Sequence, residues 1–512
     1  MKNSSLWEDF FVFSIEYEIS LCYNESEIIG NRGQKMSQKI DMLNGGLVKK
    51  IIVFTIPIML QGFLQSVYNA ADLIIVGHFS GDVALSAVGA TTSIYNVMTS
   101  LFMGIAAGVD VVSSFFYGRG DTNKVKQSID TAVITALSLG IVAAVLGFFI
   151  TDPVLRLMQT PDESGVLSNA VLYLKTLMFG VPFSLLFNFC AAIFRTAGET
   201  KRPFIYLMIS GVVNVLLNLL FVAVFNMGVF GVAFATVISQ ALSAFLIFVR
   251  LIKNQGLFSF NAKNIDFSWT LLGRMVAIGL PAGLQSCAFS ISNSFLQSGV
   301  NSFGKDAIAG STAVATVEGL LWVTITSFQS AATTFVSQNL GAGKIDRSKK
   351  SILYTVSMTF LVGVVLGLSA YFLSDPIISI FIKDNPTAVA YAKERLSITF
   401  PLYCLAGVMG VLPGAIRGLG SSLPPSIISL VGACGIRIVW VYTIFQISNN
   451  LKTLYLVHPI TWAITNTALI INLIIAYKNA KKKHTKNIYV RKNKRREGGC
   501  YEKEGRITWR LH

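Results

Sequence analysis

The chain has 512 residues, 53% hydrophobic and only 13% charged, with a mean hydropathy of +0.60. A soluble protein carries about 25% charged residues, so a soluble fold is excluded. Apolar runs of spanning length recur where a barrel would show short alternating segments, so the class is all-α and polytopic. The net charge of +16 does not indicate nucleic-acid binding, because +10 of it comes from residues 478–512, where 13 Lys or Arg face three Glu directly after the last apolar run. That is the pattern of a cytoplasmic tail held inside by its charge and lying near anionic lipid.

Residues 1–45 are polar, without helical periodicity or an arginine-rich transit pattern, and the apolar stretch FFVFSI is too short for a signal-peptide core. We expect this extension to be disordered, with residues 1–35 arising from an upstream translation start. Twelve spans follow, near 51–77, 86–116, 128–150, 168–194, 203–225, 229–252, 270–302, 309–339, 351–374, 388–416, 424–447 and 456–477. Short loops make neighbours antiparallel. The longest internal connection, at 255–269, divides the chain into an N-lobe (46–254) and a C-lobe (270–478), with a basic tail at 479–512. One set of loops carries Arg119, Lys124, Lys126, Arg195, Lys201, Arg202, Lys253, Lys344, Arg347 and Arg417; the other carries scattered charges such as Arg156, Lys305, Lys383 and Lys452. The basic set is expected to be cytoplasmic, with both termini.

The first span, PIMLQGFLQSVYNAADLIIVG, is apolar yet carries Gln61, Gln65, Tyr68, Asn69 and Asp72 at helical spacing. They form one polar stripe on a greasy rod. A carboxylate in a span costs at least ~2.5 kcal/mol and rarely faces lipid. Asp72 therefore either faces a protein interior or watery cavity, or sits at the outer end and reaches interfacial water. Asp110, Lys175 and Arg437 are further charges within spans. Asp110 reads as structural. Lys175 is placed to snorkel to the interface. For Arg437, an acid partner, a helix end and a cavity wall all stay open. Tyr68, Tyr95, Phe289, Trp322 and Trp440 are either stacking surfaces for aromatic cations or ordinary helix packing.

The six cysteines form no CxxC pair, and His78, His458, His484 and His512 have no ligand spacing. No nucleophile elbow, Walker loop or metal cluster is encoded. The chain reads as neither an enzyme nor a cofactor protein. Any pumping draws on an ion gradient.

The halves repeat. Residues 113–129 match 336–352 at an offset of 223: Ser114 meets Ser337, Gly118 meets Gly341, Gly120 meets Gly343 and Lys126 meets Lys349. Pro57 and Gln61 meet Pro281 and Gln285; Arg195, Gly198 and Pro203 meet Arg417, Gly420 and Pro425. Three regions in nearly one register indicate a duplication of six spans. Such halves are related by an axis along the membrane normal, bind substrate between them and rock alternately. The acids do not repeat: Asp72 faces Leu296, and Glu318 faces Tyr95.

The stretches PIMLQGFLQSVYNAADLIIVGHFSG, FRTAGETKRP, GVFGVAFATVISQ, VEGLLWVTITSFQSAATTFVSQNLGAGK and PGAIRGLGSSLPPS resemble the MATE (multidrug and toxic compound extrusion) family, nearest its bacterial DinF-like and MepA-like branch. The likeness covers about residues 45–478. It implies a V-shaped pair of six-helix lobes. It further implies a monomeric antiporter of the bacterial inner membrane that exports amphipathic or cationic drugs in exchange for H⁺ or Na⁺. By this resemblance Asp72, Asn214, Asn218, Thr236 and Glu318 are the ion- or proton-coupling positions, with Na⁺ held at Asp72, Asn214, Asn218 and Thr236. Asn218 stands where many relatives carry Asp, which leaves the N-lobe with one coupling carboxylate. Gln61, Gln65, Tyr68, Asn69, Gln285 and Arg437 are candidates for the substrate cavity. Burial disfavours the ionised form of a carboxylate, so a half-buried acid can take up a proton on one side and release it on the other. The alternative reading is a flippase of lipid-linked saccharides; it needs several basic residues within the spans, where Lys175 and Arg437 are the chief candidates.

Overall fold

The computed structural model describes residues 39–496 apart from 159, 161–164, 255, 383 and 384. The expected disorder of the N-terminal extension, Cys22, Lys383, Cys500 and the end of the basic tail lie outside the described residues. Contacts divide the chain into Met1–Lys39 and Ile40–His512; the fold below is that of the second unit.

The helices in order are α1 (Leu47–Arg119), α2 (Thr122–Leu157), α3 (Val166–Met178), α4 (Val181–Thr196), α5 (Lys201–Asn218) and, after a π-helical turn Leu219–Val224, α6 (Gly228–Lys253). The second half holds α7 (Trp269–Asn301), α8 (Lys305–Gly341), α9 (Ile345–Phe372), α10 (Ser374–Phe381), α11 (Pro386–Thr399), α12 (Tyr403–Gly418) and α13 (Leu423–Ser429). A second π-helical turn, Leu430–Gly435, leads to α14 (Ile436–Tyr442), α15 (Ile444–Ser448) and α16 (Leu451–Arg496).

Among the described residues nine helices are long and apolar enough to cross a membrane, and the bent pairs α3/α4 (45°) and α11/α12 (58°) each supply one more. α1 counts twice. It breaks at Gly81, whose φ of 79° and ψ of −179° suit glycine alone, so the first two spans join without a loop. That makes twelve, as the hydropathy predicts. The outward faces are apolar: Phe149, Phe372 and Ile447 are 72%, 76% and 88% exposed, which suits side chains facing lipid rather than water.

Each half has its own core, and each core receives a visitor. Leu271 and Met275, at the start of α7, are buried in the first-half core with Val109, Phe116, Ile129 and Phe189. Met42, ahead of α1, and Leu47, Ile51 and Phe54, at its start, are buried in the second-half core with Phe328, Phe335, Met409 and Leu412. Phe54 meets the Phe335 ring edge-on at 5.4 Å. The exchange is reciprocal, as a duplicated fold requires. It leaves small residues where the halves meet. A Cβ on Gly118 would lie 1.9 Å from the Gln338 carbonyl oxygen, and one on Gly341 would lie 2.0 Å from that of Phe115. These two contacts are copies of each other, at an offset of 223 for both partners.

Contacts and helix ends define three of the boundaries. Residues 40–45 belong to the folded body, not to the extension: Arg347 donates to the carbonyls of Met42, Asn44 and Gly45 at 2.9–3.0 Å, and Asn339 to that of Met42. The connection at 255–269 is docked, because Asp266 N–H donates to Asp130 and Ser268 N–H to Thr131. The basic tail does not begin as a separate segment at 479, since α16 runs on unbroken to Arg496.

Candidate functional site

Polar clusters interrupt the apolar interior of each half, and two of them hold expected site residues.

In the first half, Asp72 on α1 is 8% exposed. Asn218, the last residue of α5, donates through Nδ2 to Asp72 Oδ1 at 2.5 Å and to Asn214 Oδ1, one turn earlier, at 3.3 Å. Asn214 Nδ2 donates to Thr236 Oγ1 on α6 at 3.4 Å. Thr236 has one hydroxyl proton and two acceptors, Asp72 Oδ2 at 3.4 Å and the Val232 carbonyl at 2.9 Å. Asp72, Asn218, Asn214 and Thr236 thus close a ring across three helices. Ile75, Val76, Tyr173, Val222 and Val232 wall it with apolar surface. The π-helical turn begins at the residue after Asn218; such turns interrupt the regular ladder and often mark functional positions. Buried Asn218 Oδ1 has no hydrogen-bond partner. With the carboxylate, Asn214 Oδ1 and Thr236 Oγ1 it completes a set of hard oxygens beside one negative charge. That donor set fits Na⁺, and it equally fits a proton on Asp72.

The rest of the first-span stripe does other work. Tyr68 donates to the Met208 carbonyl at 3.1 Å and lies over Gly211, where a Cβ would fall inside its ring. Gln65 and Asn69 are exposed and Gln61 is half-buried.

A cavity of about 710 Å³ opens between α7, α8, α11, α12, α14 and α16 of the second half and Ser100, Met103, Gly104 and Ala107 of α1. Its wall includes Gln285, Phe289, Asn293, Glu318, Trp322, Arg395, Arg417, Arg437, His458 and Trp462. Glu318 accepts from Arg395 Nη2 at 2.6 Å. Arg395 also donates through Nη1 to the Ser311 carbonyl and hydroxyl, and its guanidinium lies 5.6 Å from the Tyr455 ring. Arg417 Nη2 donates to Gln285 Oε1 at 2.5 Å, and Arg437 Nη1 to Asn293 Oδ1 at 3.2 Å. Of the expected cavity residues, Gln285 and Arg437 line this space, whereas Gln61, Gln65, Tyr68 and Asn69 do not. Glu318 lies here too, away from the Asp72 ring.

The MatE profile matches residues 57–220 and again 281–443. The chain belongs to the MatE family. The "Probable multidrug resistance protein YoeA" of Bacillus subtilis is 28% identical over 397 residues, which is 76% of this chain and 85% of that protein. The "Probable multidrug resistance protein NorM" of Thermotoga maritima is 25% identical over 390 residues, 75% of this chain and 82% of its own. Among solved structures, "Outward-facing conformation of a multidrug resistance MATE family transporter of the MOP superfamily" superposes with a TM-score of 0.80 at 20% identity, covering 88% of this chain and all of that one.

The two MatE matches fall one on each half, so the duplication is a property of the fold of this multi-pass transporter family. Against that symmetry, several charged residues of this MatE protein are placed more sharply than spacing allows. Asp110 accepts from Arg195 Nε at 3.3 Å, from Ser114, and from Thr334 of the other half at 2.9 Å. Lys175 lies over the Phe148 ring at 4.9 Å. Tyr95 accepts from Gln240, and Trp440 donates to the Thr453 carbonyl, so both pack rather than line the cavity. Arg395 and Arg417 were not singled out in the sequence as site residues. Arg395 hides in KER, a charged triplet that reads as the mouth of a span. Arg417 reads as a loop charge, although its match to Arg195 in the repeat marks it.

Proposed function

We propose that this MatE protein is a secondary antiporter that exports amphipathic organic compounds, drugs among them, in exchange for H⁺ or Na⁺. Asp72 is its coupling carboxylate, and it works in the bacterial cytoplasmic membrane with the basic loops and both termini inside. The observation that carries this reading is the closed ring Asp72–Asn218–Asn214–Thr236, a single carboxylate held by three helices of one half.

An antiporter needs a group whose occupancy changes the balance between two shapes. As carboxylate, Asp72 accepts from Asn218 and Thr236 and draws α5 and α6 toward α1. Protonated, it becomes a donor. One of its two acceptor roles is lost, and the Thr236 proton can return fully to the Val232 carbonyl, so the grip between the helices loosens. Bound Na⁺ would neutralise the same charge, held by Asp72, Asn214, Asn218 and Thr236. The relatives named as multidrug resistance proteins support export of drugs, and the two-lobed fold supports alternating access.

The test is efflux in everted vesicles with ΔpH and ΔNa⁺ imposed one at a time. Ethidium accumulation should follow at least one gradient and be lost in Asp72→Asn at equal protein level. Gradient-driven accumulation that survives the substitution would remove Asp72 from the mechanism.

A further inference from the structure

The second-half cavity carries the wrong charge for a cation. Among its lining residues are three arginines and one carboxylate, Glu318. Glu318 Oε2 is paired with Arg395 Nη2, and Arg395 Nη1 meets Ser311, while Arg395 Nε and Glu318 Oε1 are buried without a partner. That leaves Arg417 and Arg437, 6% and 4% exposed. Each meets one neutral amide oxygen, and each has a buried Nε without a partner. Among the described residues neither has an ion-pair partner. A buried guanidinium is costly unless an anion answers it, and its fork of donors suits carboxylate and phosphate oxygens.

The duplication isolates this feature. Arg195, the first-half copy of Arg417, is paired with Asp110. At the position matching Asp110 the second half has Thr333, so the arginine was kept and its acid was not. Arg437 matches Val215, an added charge with no counterpart. The two arginines are strung along one wall. Their partners Gln285 and Asn293 stand two turns apart on one face of α7, about 12 Å along its axis. Between them on that face is Phe289, whose ring lies 6.2 Å from that of Trp322. A charged head held at either end would lay an apolar, flat body across these rings.

We propose that this cavity takes an amphipathic organic anion, a carboxylate or phosphate ester on an aromatic or apolar body, with its charged group held by Arg437 and Arg417. This rests on the antiporter reading and adds an anionic class, held in this cavity, to the compounds it exports. The same chemistry could be presented by a free organic anion or by the phosphate head of a prenyl lipid. Arg395 and Arg417 also supply basic residues of the kind a lipid-linked flippase needs, beside Arg437.

The experiment uses two xanthene dyes of similar shape and opposite charge, fluorescein and rhodamine 6G. Fluorescence polarisation with the purified full-length chain in detergent should show fluorescein bound. Arg437→Gln and Arg417→Gln should each weaken it about tenfold, while rhodamine 6G binding stays unchanged or improves. Arg437→Lys, which keeps the charge, should retain more affinity than Arg437→Gln and controls for folding. Competition by farnesyl pyrophosphate well beyond that of inorganic pyrophosphate would identify a lipid source of the anion; equal competition would identify a free one. Fluorescein affinity unaffected by both Gln variants would overturn the proposal. So would tight rhodamine 6G binding that both variants weaken. Rhodamine 6G efflux driven by an ion gradient, without fluorescein binding, would leave the antiporter standing and remove only the anion site. Fluorescein binding without gradient-driven efflux would do the reverse.

Discussion

Asn218 decides how much charge the first-half ring can hold. Its amide nitrogen sits 2.5 Å from the Asp72 carboxylate, so Asn218→Asp would put two acids within hydrogen-bond reach. Two such groups cannot both ionise cheaply and must share a proton or hold a cation. We expect Asn218→Asp to raise ΔNa⁺-driven ethidium efflux relative to ΔpH-driven efflux in everted vesicles; an unchanged ratio would mean that Asn218 does not set ion preference. Thr236→Val removes the other donor to Asp72. A neutral hydrogen bond contributes about 1 kcal/mol, so initial efflux rates should fall about fivefold, not vanish. The ring was partly legible in the chain. The four-residue spacing of Asn214 and Asn218 placed them on one face, and Asp72 stood out by its cost. That α1, α5 and α6 converge could come only from a family likeness, because spacing along one helix says nothing about which helix it meets. The arginine cavity was less legible still: Arg395 and Arg417 lie near span ends, where a charge ordinarily needs no explanation.

At the scale of elements, the breaks carry as much meaning as the helices. The two π-helical turns flank site residues, one directly after Asn218 and the other just before Arg437. Each leaves a stretch of backbone that is not locked into the regular ladder. Hydropathy cannot reveal such a turn, since its residues are as apolar as their neighbours. Glycine is more telling. Gly118 and Gly341 repeat in the sequence; the structure places each in the last turn of α1 or α8, against the backbone of the other half. A backbone oxygen 2.0 Å from the new Cβ cannot move aside as a side-chain tip would. Gly341→Val should therefore prevent the halves from meeting at the basic end. We expect transport to fall at least about fivefold at equal membrane level, since packing clashes of this kind cost about 1–3 kcal/mol. Gly118→Val should behave alike, because its contact is the symmetry copy. Opposite phenotypes for the pair would argue against a shared closing surface.

The whole molecule is held at that end by a buried ion pair of the first half that a hydroxyl of the second half also reaches. Asp110 and Arg195 belong to the first half, with side chains 3% and 17% exposed, and Thr334 reaches across from α8 to the same carboxylate. Removing one partner of such a pair strands the other charge and costs about 3–5 kcal/mol, whereas replacing both by apolar groups is often neutral. Asp110→Asn should thus lower the thermal midpoint of the purified protein clearly, and adding Arg195→Met should recover most of the loss. Equal midpoints for the single and double variants would mean that the pair contributes no coupling. Thr334→Val asks a separate question, because it cuts one tie between the halves, beside that of Gln338 to the Thr196 carbonyl, and leaves the ion pair intact. It should change the midpoint little but open the seam. The readout is a cysteine at Gln338, which is 2% exposed beside Gly118, in a chain whose native cysteines are replaced. In everted vesicles a membrane-impermeant maleimide should label Gln338→Cys faster with Thr334→Val than without it. Equal rates would place the closing force in the glycine contacts and the exchanged first turns of α1 and α7, and leave Asp110 with a role inside one half only.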